Sequence, residues 1–166
     1  LDDYNRVIAI NPKFLKGDVY AIRGVMKRKL SDYQGALEDY SKALQLNSKN
    51  TQVFLNRGFL KANFLNDVQG AIEDYSKGIN IKKDEYDVKA KLYEYRGMLF
   101  YTHRYIKEAE SDYRSGLKIN PKYSGLYVGL YDVYQHKGDI EKACNYLKKA
   151  SNLDYQWKSL YWKNCP

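Results

Sequence analysis

Residues 35–44 read GALEDYSKAL, and residues 70–79 repeat them as GAIEDYSKGI, 35 positions later. Looser copies follow at residues 108–117, EAESDYRSGL, and at residues 142–151, KACNYLKKAS. Self-similarity at such a period is typical of arrays in which each repeat is one supersecondary unit stacked on its neighbours. The repeats therefore predict a stacked array, and the apolar residues within them recur at helical spacing.

The predicted elements are helices that alternate with short turns. We expect four helix pairs, 17–30 with 33–46, 52–65 with 68–81, 86–102 with 105–118, and 124–137 with 140–152. Turn signals stand between the paired helices, and Ser31 or Asp32 can cap the helix that follows the first of them. Thr51 is the expected N-cap of the helix predicted at 52–65. The whole chain is thus predicted as a single array, with a half repeat at 1–12, full repeats at 17–50, 51–83, 86–121 and 124–155, and a terminal helix at 156–164.

Charge and composition narrow the function classes. The formal net charge of the 166 residues is +8, and we count an excess of +5 in residues 1–83 and +3 in residues 84–166. Because the basic residues are spread along the chain, they indicate a solvated surface and argue against a nucleic-acid partner. No apolar run is long enough to span a bilayer, so we expect no membrane partner.

Catalytic and metal chemistry find no support in the pattern. The acidic residues recur because the repeat recurs, and His103 and His136 lack ligand-spaced partners. Cys144 is expected to be a small buried residue, and neither it nor Cys165 has the spacing of a zinc site. We therefore predict no enzyme, no cofactor and no metal.

The surroundings of the chain are only weakly indicated. Its first residues already follow a helical pattern, so we expect a piece of a longer protein. Two thiols do not fix a compartment, and the lack of a recognisable signal or transmembrane segment favours the cytoplasm.

Small and aromatic residues recur in register. Gly24, Gly58 and Gly97 mark the predicted first helices, where small residues let two helices approach closely. The matching second helices carry a large aromatic residue between two small residues, at Tyr40, Tyr75 and Tyr113. This pattern resembles the tetratricopeptide repeat, and the resemblance covers nearly the whole chain.

The resemblance implies a right-handed α-α superhelix, an all-α solenoid of stacked antiparallel helix pairs. It also implies a non-catalytic scaffold that binds a peptide segment of a protein partner in a concave groove lined by the first helices. Carried over to this chain, the groove residues are Val25, Arg28, Gln52, Leu55, Phe59, Asn63, Lys91, Glu94, Met98, Tyr101, Val128 and Asp132.

Three alternatives to a peptide-binding scaffold were considered: a carboxylate-clamp protein, an RNA-binding helical repeat, and a structural spacer or regulatory segment. Members that grip acidic chaperone tails use a carboxylate clamp of Lys, Asn and Arg residues, but Tyr95 stands where an Arg is needed, so no such partner is expected. An RNA-binding helical repeat is the poorer alternative because the charge is spread. A structural spacer or regulatory segment of a larger protein is the other alternative.

Four structural expectations follow. Arg23, Arg57 and Arg96 each precede a packing glycine, and Asp39, Asp74 and Asp112 each precede a packing tyrosine, so we expect an ion pair in each of these repeats. The extra residues near Asp84 should lengthen the next helix by about one turn. The apolar ends, with Tyr4, Val7 and Ile8 at one and Trp157, Leu160 and Trp162 at the other, should favour end-to-end contact between copies. Tyr131, in a packing-glycine position, should loosen or tilt the fourth pair.

Overall fold

A computed structural model describes residues 1–11, 17–82 and 86–165 of the chain. In this part the regular elements are helices only, which confirms the all-α fold class. They are α1 (Asp2–Ile10), α2 (Asp18–Lys29), α3 (Tyr33–Leu46), α4 (Thr51–Phe64), α5 (Val68–Asn80), α6 (Tyr86–Thr102), α7 (Ile106–Ile119), α8 (Ser124–His136), α9 (Ile140–Leu153) and α10 (Lys158–Asn164), with a 3₁₀ turn at Tyr155–Trp157.

The chain divides into two compact units, Leu1–Lys83 and Asp84–Pro166. In the N-terminal unit, α2 packs on α3 and α4 on α5, while α3 also contacts α4. Its core is built on Tyr20, Tyr40, Phe54 and Leu60, and Ile8 of α1 packs against it. The α1 residues that were expected to form an exposed apolar end, among them Tyr4, are therefore partly buried.

The C-terminal unit repeats this arrangement with α6 on α7 and α8 on α9. Its core contains Tyr113, Leu126, Leu130 and Leu147, and α10 packs on α9. In both units, consecutive helix pairs stack through their neighbouring helices, as the repeated sequence predicts.

The turns inside the pairs share one backbone device. The second residue after the first helix takes a left-handed conformation, with φ of 64° at Ser31, 53° at Asn66 and 68° at Arg104. In the fourth pair this residue is a glycine, Gly138, at φ 76°. Glycine adopts left-handed backbone freely, and the short polar residues Ser31 and Asn66 tolerate it, whereas Arg104 adopts it with a long side chain. The turn sequences at these sites were thus placed correctly from the sequence.

Aspartates begin three of the second helices. Asp32 accepts a hydrogen bond from the Gly35 backbone N–H at 2.9 Å, and Asp67 does the same for Gly70. Such caps satisfy backbone donors that the first turn leaves free. The expected cap at Thr51 is wrong, because the side chain of the preceding residue, Asn50, caps α4 and Thr51 is buried as its first residue.

Helix α6 is the longest of the first helices. It has 17 residues, against 12 in α2, 14 in α4 and 13 in α8. The difference from its counterparts is about one helical turn, as expected from the extra residues in this repeat. Asp84 itself lies outside the described residues.

The three expected ion pairs are present. Arg23 donates two hydrogen bonds to Asp39 at 2.8 and 2.6 Å, and Arg57 donates two to Asp74 at 2.9 and 2.6 Å. Arg96 donates likewise to Asp112 at 2.8 and 2.7 Å. Because the fork of the guanidinium matches the carboxylate, each pair fixes the orientation of two helices as well as their contact.

Glycines lie beneath the tyrosine rings of the second helices. A Cβ atom on Gly58 would stand 2.5 Å from the Tyr75 ring, and one on Gly97 would stand 2.7 Å from the Tyr113 ring. In the fourth pair a tyrosine, Tyr131, replaces the glycine and Leu147 replaces the second-helix tyrosine. The expected looser packing is wrong, since α8 packs on α9 as extensively as the helices of the other pairs pack on each other. Exchanging the large and small partners preserves the filled space.

The C-terminal segment folds back and is cross-linked. Cys144 of α9 and Cys165 form a disulfide with Cα atoms 5.4 Å apart. The expectation of a small buried Cys144 is wrong, because this residue is half-buried and bonded to Cys165. It is also wrong that Trp157 and Leu160 form an exposed end, because both pack on the core of the C-terminal unit, and only Trp162 is largely exposed, at 74 %.

Candidate functional site

The first helices of the N-terminal unit present a filled surface. The guanidinium of Arg28 on α2 lies 5.4 Å from the centre of the Phe59 ring on α4, and Phe59 packs near Phe64. Val25 is half-buried and packs against the core of this unit. Leu55 was expected to line an open groove, but it is only 5 % exposed and is therefore a packing residue.

The first helices of the C-terminal unit enclose a cavity of about 290 Å³ instead. Four of the expected groove residues line it, two from α6 and two from α8. They are Glu94, Met98, Val128 and Asp132, and the remaining wall is formed by Tyr113, Gly125, Gly129 and Trp157. We call this the α6–α8 cavity.

Carboxylates face this cavity from both helices. Burial raises the pKa of Asp132 to about 6, with no neighbouring charge contributing to the shift. Burial also raises the pKa of Glu94, although a hydrogen bond from the Tyr123 hydroxyl at 2.9 Å and the charge of Lys91 oppose that shift. The cavity therefore carries negative charge in a poorly solvated setting, where its attraction for a cation is strengthened.

Glycine makes room for one of these carboxylates. A Cβ atom on Gly125 would stand 1.9 Å from Oε1 of Glu94, so the side chain of Glu94 reaches into space that any larger residue would occupy. Met98, half exposed, and Val128 supply apolar surface beside the carboxylates.

Trp157 closes one side of the cavity. Its indole N–H donates to Oγ of Ser124 at 3.3 Å, which ties the C-terminal segment to the start of α8. The Cys144–Cys165 disulfide holds the same segment on α9. Sequence reasoning placed Trp157 at the end of the array and missed its part in the cavity, because only the folding back of the segment brings it there.

The other expected groove residues lie outside the cavity. In the C-terminal unit, the Tyr101 hydroxyl donates to the backbone oxygen of Asp132 at 3.3 Å, and Lys91 is exposed. In the N-terminal unit, Gln52 bonds Asn56 and Asn63 bonds the Phe59 carbonyl, and both side chains are exposed.

The described residues hold no group of three or more His, Cys, Asp and Glu side chains suited to a metal ion. Within the same residues, every helix is too short or too polar to cross a bilayer.

Comparisons with known proteins give the following matches. A family model described as the tetratricopeptide repeat matches residues 17–50, and another with the same description matches residues 127–156. The UDP-N-acetylglucosamine--peptide N-acetylglucosaminyltransferase of Giardia intestinalis (strain ATCC 50803 / WB clone C6) is 39 % identical over 56 residues. That match covers 34 % of this chain and only 4 % of the Giardia protein.

Solved structures share the fold over most of the chain. YrrB, described as a TPR protein with an unusual peptide-binding site, is 18 % identical with a TM-score of 0.71, over 96 % of this chain and 78 % of YrrB. The Arabidopsis OM64 TPR domain is 26 % identical with a TM-score of 0.64, over 73 % of this chain and 96 % of that domain. Together with the helix pairs and their packing glycines, these matches lead to one assignment. The chain carries tetratricopeptide repeats at residues 17–50 and 127–156, and its fold is the one that solved proteins with this repeat share.

Proposed function

We propose that this chain is a non-catalytic scaffold that binds a peptide segment of a protein partner at the α6–α8 cavity. Its repeats already make it a protein-interaction scaffold in general terms. The observation that carries the finer proposal is the gathering of four expected groove residues, from two successive first helices, around one cavity.

The composition of this cavity suits a peptide. Met98, Val128 and Trp157 offer apolar and aromatic surface, and a few polar groups stand among them. Binding sites commonly combine an apolar lining with a small number of oriented polar groups. The cavity volume of about 290 Å³ accommodates individual side chains of a segment laid across the first helices, with the exposed Met98 as an anchor.

A peptide display screen tests this proposal. The immobilised 166-residue chain is expected to enrich a family of related peptides, and Met98→Ala to abolish that enrichment. Met26→Ala is the matched control, because it removes the other methionine, which lies in the N-terminal unit. Enrichment that survives Met98→Ala would move the site elsewhere, and a screen with no enriched family would contradict peptide binding.

A structural or regulatory segment of a larger protein is the second candidate. The observation that favours it is the match to the Giardia enzyme, in which the similar stretch is 4 % of the length. This role predicts that antibodies raised against the chain detect a natural protein far larger than 19.5 kDa, together with an empty peptide screen.

Self-association stays a prediction. Trp162, like Tyr155, is an exposed aromatic residue of the C-terminal segment. If copies meet end to end through it, Trp162→Ser will lower the mass that light scattering measures at high concentration. An unchanged monomer mass in both proteins would contradict the prediction.

A further inference from the structure

We propose that the α6–α8 cavity takes a lysine side chain of the bound segment. The inference rests on the proposed function and names the chemistry that its site selects. It begins from an anomaly of charge, since this cavity gathers two carboxylates in a chain whose formal net charge is +8.

The carboxylate of Asp132 has no partner within the part of the chain that the structure describes. Neither a hydrogen bond nor an ion pair reaches it, whereas Glu94 accepts the hydrogen bond from Tyr123 through Oε2. A half-buried carboxylate without a partner loses solvation and gains nothing in return. A ligand cation in the cavity would supply the missing interaction, and the raised pKa of Asp132 agrees with its absence.

A second, independent sign is Tyr113. This side chain is 2 % exposed and lines the cavity, and its hydroxyl makes no hydrogen bond with any described residue. Asp132 and Glu94 are both close enough to add to the effect of burial in raising the pKa of Tyr113. The hydroxyl therefore stands near both carboxylates and presents a free acceptor to the cavity.

Three acceptor groups thus face one small space, from α6, α7 and α8. An ammonium group offers three N–H donors and no acceptor, and its hydrogens can turn toward acceptors on several sides. The guanidinium of arginine is a planar fork suited to paired oxygens in one plane. The distribution of acceptors over three helices favours lysine.

The apolar walls suit the rest of a lysine side chain. Met98, Val128 and Trp157 can cover its methylene stem while the head reaches the carboxylates. The Trp157 ring also lines the cavity, and aromatic rings attract ammonium groups. The cavity, at about 290 Å³, lies at the small end of the range for ligand sites and has room for one side chain.

Methyl NMR of the intact chain tests the proposal, because its two methionines lie in different units, Met26 on α2 and Met98 on α6. The probes are N-acetyl-lysine methylamide, its norleucine analogue and its arginine analogue. Lysine is expected to shift the Met98 methyl signal in a saturable way and leave Met26 unchanged. Norleucine, which lacks the charge, should bind about tenfold more weakly.

Variants identify the acceptors. Asp132→Asn is expected to weaken the lysine probe about tenfold, since it removes a charge-assisted hydrogen bond. Glu141→Gln is the matched control, because it removes an exposed charge from α9 in the same unit, and it should leave the affinity unchanged.

Three outcomes would overturn the lysine pocket, and a fourth would keep the pocket while removing the proposed function. If the norleucine probe binds as tightly as the lysine probe, the cavity is an apolar site that does not select for charge. If the arginine probe binds more tightly than the lysine probe, the cavity selects arginine. If no probe moves Met98 up to its solubility limit while screened peptides still bind the chain, peptide binding stands and the lysine pocket fails. An empty peptide screen beside a lysine-specific response would instead remove the proposed function and keep the pocket.

Discussion

Corresponding positions on the first helices differ between the two units. The N-terminal unit has Ala21 and Val25 on α2 and Leu55 and Phe59 on α4, and this surface is filled. The C-terminal unit has, at the same places, Glu94 and Met98 on α6 and Val128 and Asp132 on α8, and they surround a cavity.

The repeat therefore determines where the helices lie, while a few side chains determine whether the surface between first helices is filled or forms a cavity. Leu55 can be buried because its apolar neighbours close over it. Glu94, at the matching position, cannot be closed in the same way, because a carboxylate without solvent or a partner is costly. The cavity therefore follows from charge introduced into an otherwise apolar repeat position.

The largest expected effect is on stability, at the Arg–Asp pairs. In the N-terminal unit, Asp74 accepts from Arg57 and also pairs with Lys61 at 3.0 Å, so Asp74→Ala would leave two largely buried cations and cost about 3–5 kcal/mol. In the C-terminal unit, Phe100 replaces this lysine, and burial raises the pKa of Asp112 although Arg96 opposes it. Asp112→Ala should therefore cost less.

Urea denaturation of both variants measures the difference. The matched control is Glu73→Ala, an exposed neighbour whose loss should change the unfolding free energy by less than about 0.5 kcal/mol. An Asp112→Ala loss that equals or exceeds that of Asp74→Ala would show that the second cation adds nothing.

The disulfide gives the next largest effect and belongs to the C-terminal unit. Cys165→Ser opens a link between residues 21 positions apart and should destabilise the C-terminal segment by about 3 kcal/mol. Both tryptophans, Trp157 and Trp162, lie in this segment, so tryptophan fluorescence reports on it alone. Cys144→Ser should have the same effect. A fluorescence change with the same urea midpoint in the natural chain and in these variants would contradict the prediction.

A smaller effect tests the carboxylate of the cavity through pH. Because the folded-state pKa of Asp132 is raised to about 6, the folded protein binds more protons than the unfolded chain between about pH 4 and pH 6. The contribution of this group to stability is thus lost as pH rises through 6. At pH 7.5, Asp132→Asn should raise the unfolding free energy by about 1–2 kcal/mol, after allowance for solvent screening.

This gain should shrink as the pH is lowered to 5, where Asp132 of the natural chain is already protonated when folded. The groups that face it, Glu94 on α6 and the tyrosines Tyr101 and Tyr113, are unchanged in the variant. Thermal unfolding at both pH values measures the gain, with Glu141→Gln as the control. A variant that is less stable than the natural chain at pH 7.5 would mean that Asp132 has a favourable partner.

The helices could be predicted closely because local signals agree with the repeat. Asp32 and Asp67 cap their helices at the expected turns, and the glycine–tyrosine contacts follow from the recurring pattern. The ion pairs were predictable too, since Arg and Asp disappear together in the fourth repeat, as Leu130 and Tyr146.

The cavity could be predicted only in part. Glu94, Met98, Val128 and Asp132 lie on first helices, where the repeat assigns the groove. Tyr113 comes from a second helix, and Trp157 comes from a segment with no counterpart in the repeat. The disulfide was missed for the same reason, since the return of Cys165 to Cys144 depends on how the C-terminal segment packs.

Calorimetric titration of one peptide from the screen tests the central claim most directly, with Met98→Ala and Phe59→Ala compared under the same conditions. Each of these apolar residues directly follows the packing glycine of its repeat. The account predicts that Met98→Ala weakens binding by about 1–3 kcal/mol, as expected for an anchor, while Phe59→Ala changes it little. Normal binding by Met98→Ala, with binding lost in a folded Phe59→Ala, would contradict the account and place the partner on the N-terminal unit.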